Sequence, residues 1–170
     1  MKTRRSPILQ SDDALRQLVD RTAIIGTIVG IANAIDRKDW GKLRSLLADE
    51  LDADYSQFRG EPAERVVADA YVASRKEGLE GVRTLHISTN HEVAVRGDEA
   101  DCYSAYQIFR VAEGSGGERL DTAGTYEHRL VRAGDGWLVR GIKQTVVVLS
   151  GDRSVHGALR RGAGVSEDAT

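Results

Sequence analysis

The chain has 170 residues, of which 41% are hydrophobic and 29% are charged, a balance typical of one soluble globular domain. Its formal net charge is −2, which argues against bulk attraction to nucleic acid or to an anionic membrane. The single cysteine excludes an internal disulfide and a cysteine-rich metal site. Because we find no apolar run of the kind that forms a signal sequence or a bilayer span, we predict a cytoplasmic protein.

The first half of the chain predicts three helices and one strand. A long helix is expected from a cap within residues 11–13 to about Asp36, because apolar residues recur at helical spacing. Asp39 is the expected cap of a short second helix, and residues 50–58 alternate as a strand does. Residues 62–76 predict a third helix, which begins with a proline and is followed by a glycine.

The second half is rich in β-forming residues. Its runs are separated by the glycine-containing turns GDEA, GSGGE and GDG, which predict an antiparallel meander. Helices followed by strands indicate an α+β fold. We expect a cone-shaped, curved antiparallel sheet with the N-terminal helices packed on its concave face. The domain would span residues 12–150, with flexible termini at residues 1–11 and 151–170.

Asp36 lies at the end of the apolar stripe of the first helix, where a carboxylate needs a partner if it is buried. In the run RTLHISTN, alternation places Thr84, His86 and Ser88 on one side of a strand. If that side faces the helices, Asp36 meets His86. A carboxylate beside an imidazole fixes the ring tautomer and raises its basicity, which suits proton transfer. The alternative is an exposed helix end and an ordinary strand histidine.

The other polar candidates are tyrosines and histidines. Four tyrosines are candidate hydrogen-bond donors to a ligand: Tyr55, Tyr71, Tyr106 and Tyr126. Tyr55 is favoured, because its strand directly follows the helix pair that carries Asp36. Three histidines have polar or charged neighbours and are predicted to face solvent: His91, His128 and His156. No histidine pair has metal-ligand spacing and no nucleotide-binding motif occurs, so we predict neither a metal nor a cofactor.

Two long segments, AIDRKDWGKLRSLLADELDADYSQF and RTLHISTNHEVAVRGDEADCYSAYQIF, together with AGTYEHRLVRAGDGWLVRGIK, carry a family resemblance. They resemble the SnoaL-like branch of the nuclear transport factor 2-like superfamily, and most of all scytalone dehydratase. The resemblance implies a cone-shaped α+β fold and cofactor-free elimination or isomerisation. It places Asp36 and His86 on the catalytic pair of those enzymes, and Tyr55 on a tyrosine that polarises the substrate carbonyl. Scytalone dehydratase has a second pocket histidine, but His128 lies too far along the corresponding run LDTAGTYEHRL to match it.

The sequence therefore predicts a lyase of the dehydratase type, acting on a hydrophobic cyclic, polyketide-like or steroid-like ketone. Asp36, His86 and Tyr55 are the expected catalytic residues. An isomerase or a polyketide cyclase would begin with the same proton abstraction, and a non-catalytic ligand-binding module is the alternative from another class. The resemblance also implies a homodimer or homotrimer.

Overall fold

The computed structural model describes residues 7–114 and 116–157, with side chains from residue 12 onwards. The helices and strands follow in chain order: α1 (Pro7–Asp36), α2 (Trp40–Ser45), β1 (Leu47–Asp54), α3 (Ser56–Arg59), β2 (Glu64–Val67), α4 (Ala68–Gly78), β3 (Val82–Arg96), β4 (Glu99–Ala112), β5 (Arg119–Ala133) and β6 (Gly136–Gly151). A 3-10 helix at Arg153–Val155 follows β6.

One six-stranded sheet holds all the strands, in the order β2-β1-β6-β5-β4-β3. The β3–β6 meander is antiparallel, as the turn sequences predicted, and the α+β class is confirmed. The sheet stays open, however, and β1 pairs with β6 in parallel. The sheet therefore does not close into the barrel that the family resemblance implied, and the parallel pair adds to the predicted antiparallel part. A parallel pair is sterically allowed here because a long connection that contains α4 separates the two strands.

Helix α1 lies against the sheet and supplies much of the core. Ile24, Ile28, Ile31 and Ile35 are buried at helical spacing and share one cluster with residues of β5 and β6. Residues 12–36 are long and apolar enough to cross a membrane, so the expectation that no such stretch exists is wrong. By length and composition alone, the core helix of a soluble protein passes the same test, and one face of this helix is buried against the sheet.

A partly buried ion pair connects α1 to the far strands. Asp20 accepts hydrogen bonds from Arg132 Nη1 at 2.7 Å, from Arg132 Nη2 at 2.9 Å and from Trp137 Nε1 at 3.2 Å. The bonds from Arg132 hold the pKa of the Asp20 carboxyl below its usual value. The α1 backbone is thereby locked in register with β5 and β6.

The segment at residues 62–76 differs from its prediction. Residues Glu64–Val67 form β2 at the edge of the sheet, and α4 begins only at Ala68. Two adjacent valines favour a strand, and Arg65 bridges across to Glu50 on β1 at 2.8 Å. Strand β1 also ends at Asp54, before the predicted position 58, so that Tyr55 precedes the short helix α3.

The described parts of the two segments expected to be flexible are more regular than predicted. Helix α1 already begins at Pro7, inside the segment expected to be flexible. At the other end Gly151 belongs to β6, and Val155 and His156 are buried against the domain. The rest of the two predicted flexible segments, residues 1–6 and 158–170, lies outside the described residues.

Candidate functional site

A cavity opens between α1, α3, α4 and the inward face of the sheet. Apolar side chains from both layers form much of its wall: Ile28, Ile31, Ala32, Ile35, Phe58, Leu79, Ile108 and Ile142. The inward positions of β3 and β4 alternate with exposed ones, so each strand contributes every second residue. A β-bulge near Asn90, whose φ is 55°, interrupts this pairing and bends β3.

Asp36 and His86 meet at this cavity. His86 Nδ1 lies 2.5 Å from Asp36 Oδ1, and the backbone N–H of His86 donates to Asp36 Oδ2 at 2.8 Å. The Thr84 hydroxyl donates to Asp36 Oδ1 at 2.7 Å. His86 itself lines the cavity, and no described side chain bonds its Nε2. The structure therefore brings together the two residues that the sequence paired.

The surroundings of the pair set its protonation. Burial would raise the pKa of the Asp36 carboxyl, but the hydrogen bonds from His86 and Thr84 and the nearby imidazole hold it below the usual value. Burial lowers the pKa of His86, and the charge of Asp36 opposes this only in part. At neutral pH the pair is thus a carboxylate and a neutral imidazole. An ionised carboxylate only accepts, so Nδ1 carries the proton and Nε2 presents a lone pair.

Tyr55 stands at the cavity as part of a hydroxyl pair. Its hydroxyl lies 2.7 Å from that of Tyr71, and their ring centroids are 6.4 Å apart. Burial and the neighbouring Tyr55 raise the pKa of Tyr71 well above its usual value. Tyr71 therefore stays protonated and serves as a hydrogen-bond donor and acceptor, not as a base.

Two histidines expected to face solvent are buried. His128 and His156 both line the cavity, because β5 turns the His128 side inward and the 3-10 helix seats His156 edge-on to Phe58, 5.1 Å away. The prediction was wrong for both; for His128 the reason is that its polar neighbours along the chain lie on the opposite face of β5. Burial lowers the pKa of His128 to about 4.

A hydrogen-bonded pair completes the β5–β6 side of the cavity. Gln144 Nε2 donates to the Tyr126 hydroxyl at 3.0 Å, and the Tyr126 ring stacks against Tyr106 at 4.5 Å. The Oε1 atom of Gln144 is buried and has no hydrogen-bond partner among the described residues. This amide oxygen is one acceptor that a ligand hydroxyl can satisfy.

Three arginines line the cavity and were missed by the sequence reasoning: Arg59, Arg75 and Arg110. Arg75 and Arg110 are only 8% and 4% exposed. The signal for Arg110 was present, because alternation places it on the same side of β4 as Tyr106 and Ile108. It was overlooked because a charged residue near a strand end is normally assigned to solvent.

Within residues 7–114 and 116–157, no group of three or more His, Cys, Asp or Glu side chains is arranged to hold a metal ion. The carboxylate beside His86 is that of Asp36, and its oxygens are engaged by Thr84 and His86. The donor set of the cavity is suited to proton transfer and hydrogen bonding.

Comparison with known families agrees with this architecture. A model of the SnoaL-like domain matches residues 16–143, which is most of the chain. The chain belongs to the SnoaL-like family. The resemblance noted in the sequence is therefore confirmed, together with the nuclear transport factor 2-like fold that it implied.

Individual relatives of this SnoaL-like chain include a named dehydratase. Dehydratase cfoI of Aspergillus candidus is 29% identical over 147 residues, which cover 78% of this chain and 86% of that one. The crystal structure of Kfla4162 from Kribbella flavida has a TM-score of 0.75 at 26% identity and covers 79% of this chain and 95% of that one. A provisionally named scytalone dehydratase from Novosphingobium aromaticivorans has a TM-score of 0.69 at 18% identity over 79% and 88% of the two chains, which shows a shared fold.

Proposed function

We propose that this SnoaL-like protein is a cofactor-independent lyase of the dehydratase type, acting on a hydrophobic cyclic ketone. One observation carries the proposal: the imidazole of His86 lines a largely apolar cavity, with Nδ1 2.5 Å from Asp36 Oδ1. A base of this kind removes a weakly acidic proton where water is scarce. The named dehydratase among the relatives supports the same reaction class.

The reaction balances with the residues present. His86 Nε2 takes a proton from the carbon next to the substrate carbonyl, and the electrons of the broken C–H bond form an enolate. Collapse of the enolate forms the C=C bond and breaks the C–O bond to a β-hydroxyl. The proton on His86 passes to the departing oxygen, which leaves as water. Asp36 stabilises the imidazolium in between and needs no proton of its own.

The enolate oxygen requires a hydrogen-bond donor. Tyr55 lines the same cavity, and its hydroxyl is already oriented by Tyr71 at 2.7 Å. When Tyr71 donates to Tyr55, the Tyr55 proton is free to point to a carbonyl oxygen, directly or through water. A donor placed where negative charge develops lowers the barrier more than one that serves only the ground state.

The test is turnover of a panel of cyclic β-hydroxy ketones, followed by enone absorbance and by the loss of one water in the product mass. We expect His86→Ala to abolish turnover while the circular dichroism spectrum and melting temperature change little. The matched control is His91→Ala, because His91 is half-buried on the same strand but does not line the cavity. Equal turnover by wild type and His86→Ala would refute the proposal.

The product mass also separates the related reactions. A dehydratase product is lighter than its substrate by one water, whereas an isomerase product has an unchanged mass. A ligand-binding module would bind the ketones without converting them, and its affinity would not depend on the protonation of His86. A single liquid chromatography and mass spectrometry run distinguishes a product lighter by one water, a product of unchanged mass and the absence of a product.

A further inference from the structure

The cavity contains more positive charge than its own residues neutralise. Arg59, Arg75 and Arg110 line it, whereas the Asp36 carboxylate beside it is already engaged by Thr84 and His86. None of the three arginines forms a salt bridge with any described residue, although other arginines do so: Arg44, Arg65, Arg119, Arg129, Arg132 and Arg140. The cavity arginines therefore have no ion-pair partner among the described residues; Asp121, which attracts Arg110 but does not line the cavity, is paired with Arg119.

Arg110 is the most deeply buried of them. It is 4% exposed, and its one hydrogen bond to a described residue joins Nη1 to the Thr122 hydroxyl at 3.0 Å. A guanidinium has five N–H donors, so most of them have no acceptor. The Phe58 ring centroid lies 5.1 Å from the Arg110 Cζ and compensates part of the charge, but a ring face accepts no strong hydrogen bond.

Arg75 repeats this arrangement on the helix side of the cavity. It is 8% exposed, and its Cζ lies 4.3 Å from the ring centroid of Tyr55 and 4.4 Å from that of Tyr71. The two tyrosine rings orient the guanidinium plane of Arg75. No carboxylate of the described residues forms a salt bridge with its N–H groups. Burial lowers the pKa of Arg110; the like charge of Arg75 adds to this effect, and the charge of Asp121 opposes it. Burying two like charges together is costly unless an anion joins them.

The relation of Arg110 to the base defines where such an anion would lie. His86 pairs with Ile108 across β3 and β4, and Arg110 is the next inward residue along β4. Diagonal neighbours of this kind are separated by about 7–8 Å. This distance is about the width of a ring with its substituent. A ligand with one carbon at His86 can therefore place an anionic group at Arg110, on the opposite side of its ring.

We propose that the cavity binds an anionic substrate, a cyclic compound with a carboxylate that is held by Arg75 and Arg110. This inference rests on the proposed function, whose substrate class it narrows from cyclic ketones in general to cyclic keto acids. A planar carboxylate matches the fork of a guanidinium and accepts two parallel hydrogen bonds. The apolar wall contacts the ring, and the arginines hold the charged end.

The test compares one ligand with and without its charge. Binding of 2-naphthoate and of its neutral methyl ester is measured by isothermal titration calorimetry at pH 7.5. Because charge-assisted hydrogen bonds are the strong ones, we expect the acid to bind at least about tenfold more tightly than the ester. In Arg110→Met this preference should disappear, while ester binding stays within about twofold. Arg110→Lys keeps the charge but not the fork, and should retain an intermediate preference.

Two further variants keep the result interpretable. Arg83→Met alters an exposed arginine on β3 that does not line the cavity, and it should leave the preference unchanged. His86→Ala removes the proposed base and should leave the preference intact, so that loss of the proposed function and loss of the anion site are seen separately. Arg75→Gln should reduce the preference even if Arg110→Met does not fold.

Two results would overturn the inference. One is equal affinity of the wild type for acid and ester. The other is a preference for the acid over the ester that survives in both Arg110→Met and Arg75→Gln. If turnover alone falls in these variants, the arginines act on the enolate oxygen and do not bind a substrate carboxylate.

Discussion

Asp36 holds His86 through two separate atoms of that residue: Oδ1 lies 2.5 Å from the ring Nδ1, and Oδ2 accepts the backbone N–H at 2.8 Å. One carboxylate thus fixes both the imidazole and the strand that carries it. The ring cannot rotate without breaking the first bond, and the second bond keeps the carboxylate from following the ring. This double attachment gives the pair a defined geometry even though α1 and β3 are far apart in sequence.

The first prediction concerns the ring tautomer. In Asp36→Asn, the amide oxygen is expected to keep the backbone N–H, which turns the amide NH2 toward Nδ1 and moves the ring proton to Nε2. The lone pair at Nε2 is then lost, and turnover should fall by about 10²-fold or more. Nitrogen-15 NMR of labelled histidine reports the tautomer directly, without any substrate.

The control for this variant is Asp135→Asn, because Asp135 is exposed in the β5–β6 turn. It should change neither the His86 spectrum nor turnover. If Asp36→Asn leaves the proton of His86 on Nδ1 and turnover at the wild-type level, the carboxylate has no orienting role.

The second prediction is the pH dependence of kcat/KM. The active form has a neutral His86, and burial lowers the pKa of this imidazole below its ordinary value of 6.5. Activity should therefore persist as the pH falls through 6.5 and decline only at lower pH. In Asp36→Asn the opposing charge is lost, so the midpoint of the decline should move to still lower pH while the plateau falls.

A pH-rate profile from pH 4 to pH 9 measures both effects, with enzyme stability checked at each pH. A midpoint above 6.5 in the wild type would mean that the charge of Asp36 outweighs burial and raises the pKa of His86. A profile that is identical in His86→Gln would show that another group titrates.

The third prediction separates the two tyrosine hydroxyls. Tyr55→Phe removes the proposed donor and should lower kcat about tenfold or more with a smaller change in KM. Tyr71→Phe removes only the group that orients Tyr55 at 2.7 Å, so its effect on kcat should be smaller. Both variants keep the ring that stacks on Arg75, which makes each the matched control of the other. A larger loss in Tyr71→Phe would reverse the assigned roles.

The sequence predicted the site unevenly, and the reasons are physical. Alternation in RTLHISTN placed Thr84, His86 and Ser88 inward, because a strand with one face on a core has period two. The same rule applied to β4 would have placed Arg110 inward. It was not followed there because solvation normally outweighs pattern for an arginine. Burial of an unpaired charge is locally unfavourable, and such exceptions to a sequence rule occur at functional sites.

The errors in the fold have a different origin. The edge strand β2 forms because β1 offers it a partner, and a pattern within residues 62–76 cannot report that partner. His128 was assigned to solvent from its neighbours Glu127 and Arg129, which lie on the other face of β5. The open edge of the sheet and the parallel β1–β6 pair likewise depend on the path of α4 and not on local composition.

The fourth prediction concerns His128 and stability. Burial lowers the pKa of His128 to about 4 in the folded protein, while an unfolded chain has a value near 6.5. Above pH 6.5 both states are neutral and the full stability is present. As the pH falls from 6.5 to 4, only the unfolded chain takes up the proton, and the free energy of unfolding should decrease by up to about 3 kcal/mol.

NMR titration of the His128 ring protons tests the cause. The resonances should stay those of a neutral imidazole at pH 5.5, whereas an exposed histidine would be mostly charged there. Urea unfolding of His128→Gln at pH 7 and pH 5 tests the consequence, since its loss of stability between these values should be smaller than in wild type. A His128 midpoint near 6.5 would contradict the buried position.

The last prediction is that Arg110 destabilises the ligand-free protein. Arg110→Met replaces a guanidinium that is 4% exposed by an apolar chain of similar length. The change removes the repulsion from Arg75 and the cost of burying the charge, although Thr122 loses its donor, which costs about 1 kcal/mol. Since replacing buried charges by apolar residues is often stabilising by about 1–4 kcal/mol, we expect the free energy of unfolding to increase by about 1–2 kcal/mol.

Urea denaturation of the ligand-free proteins measures this change in the free energy of unfolding, with Arg83→Met as the exposed control. A loss of several kcal/mol instead would mean that Arg110 is a structural residue whose interactions within the fold already compensate its charge.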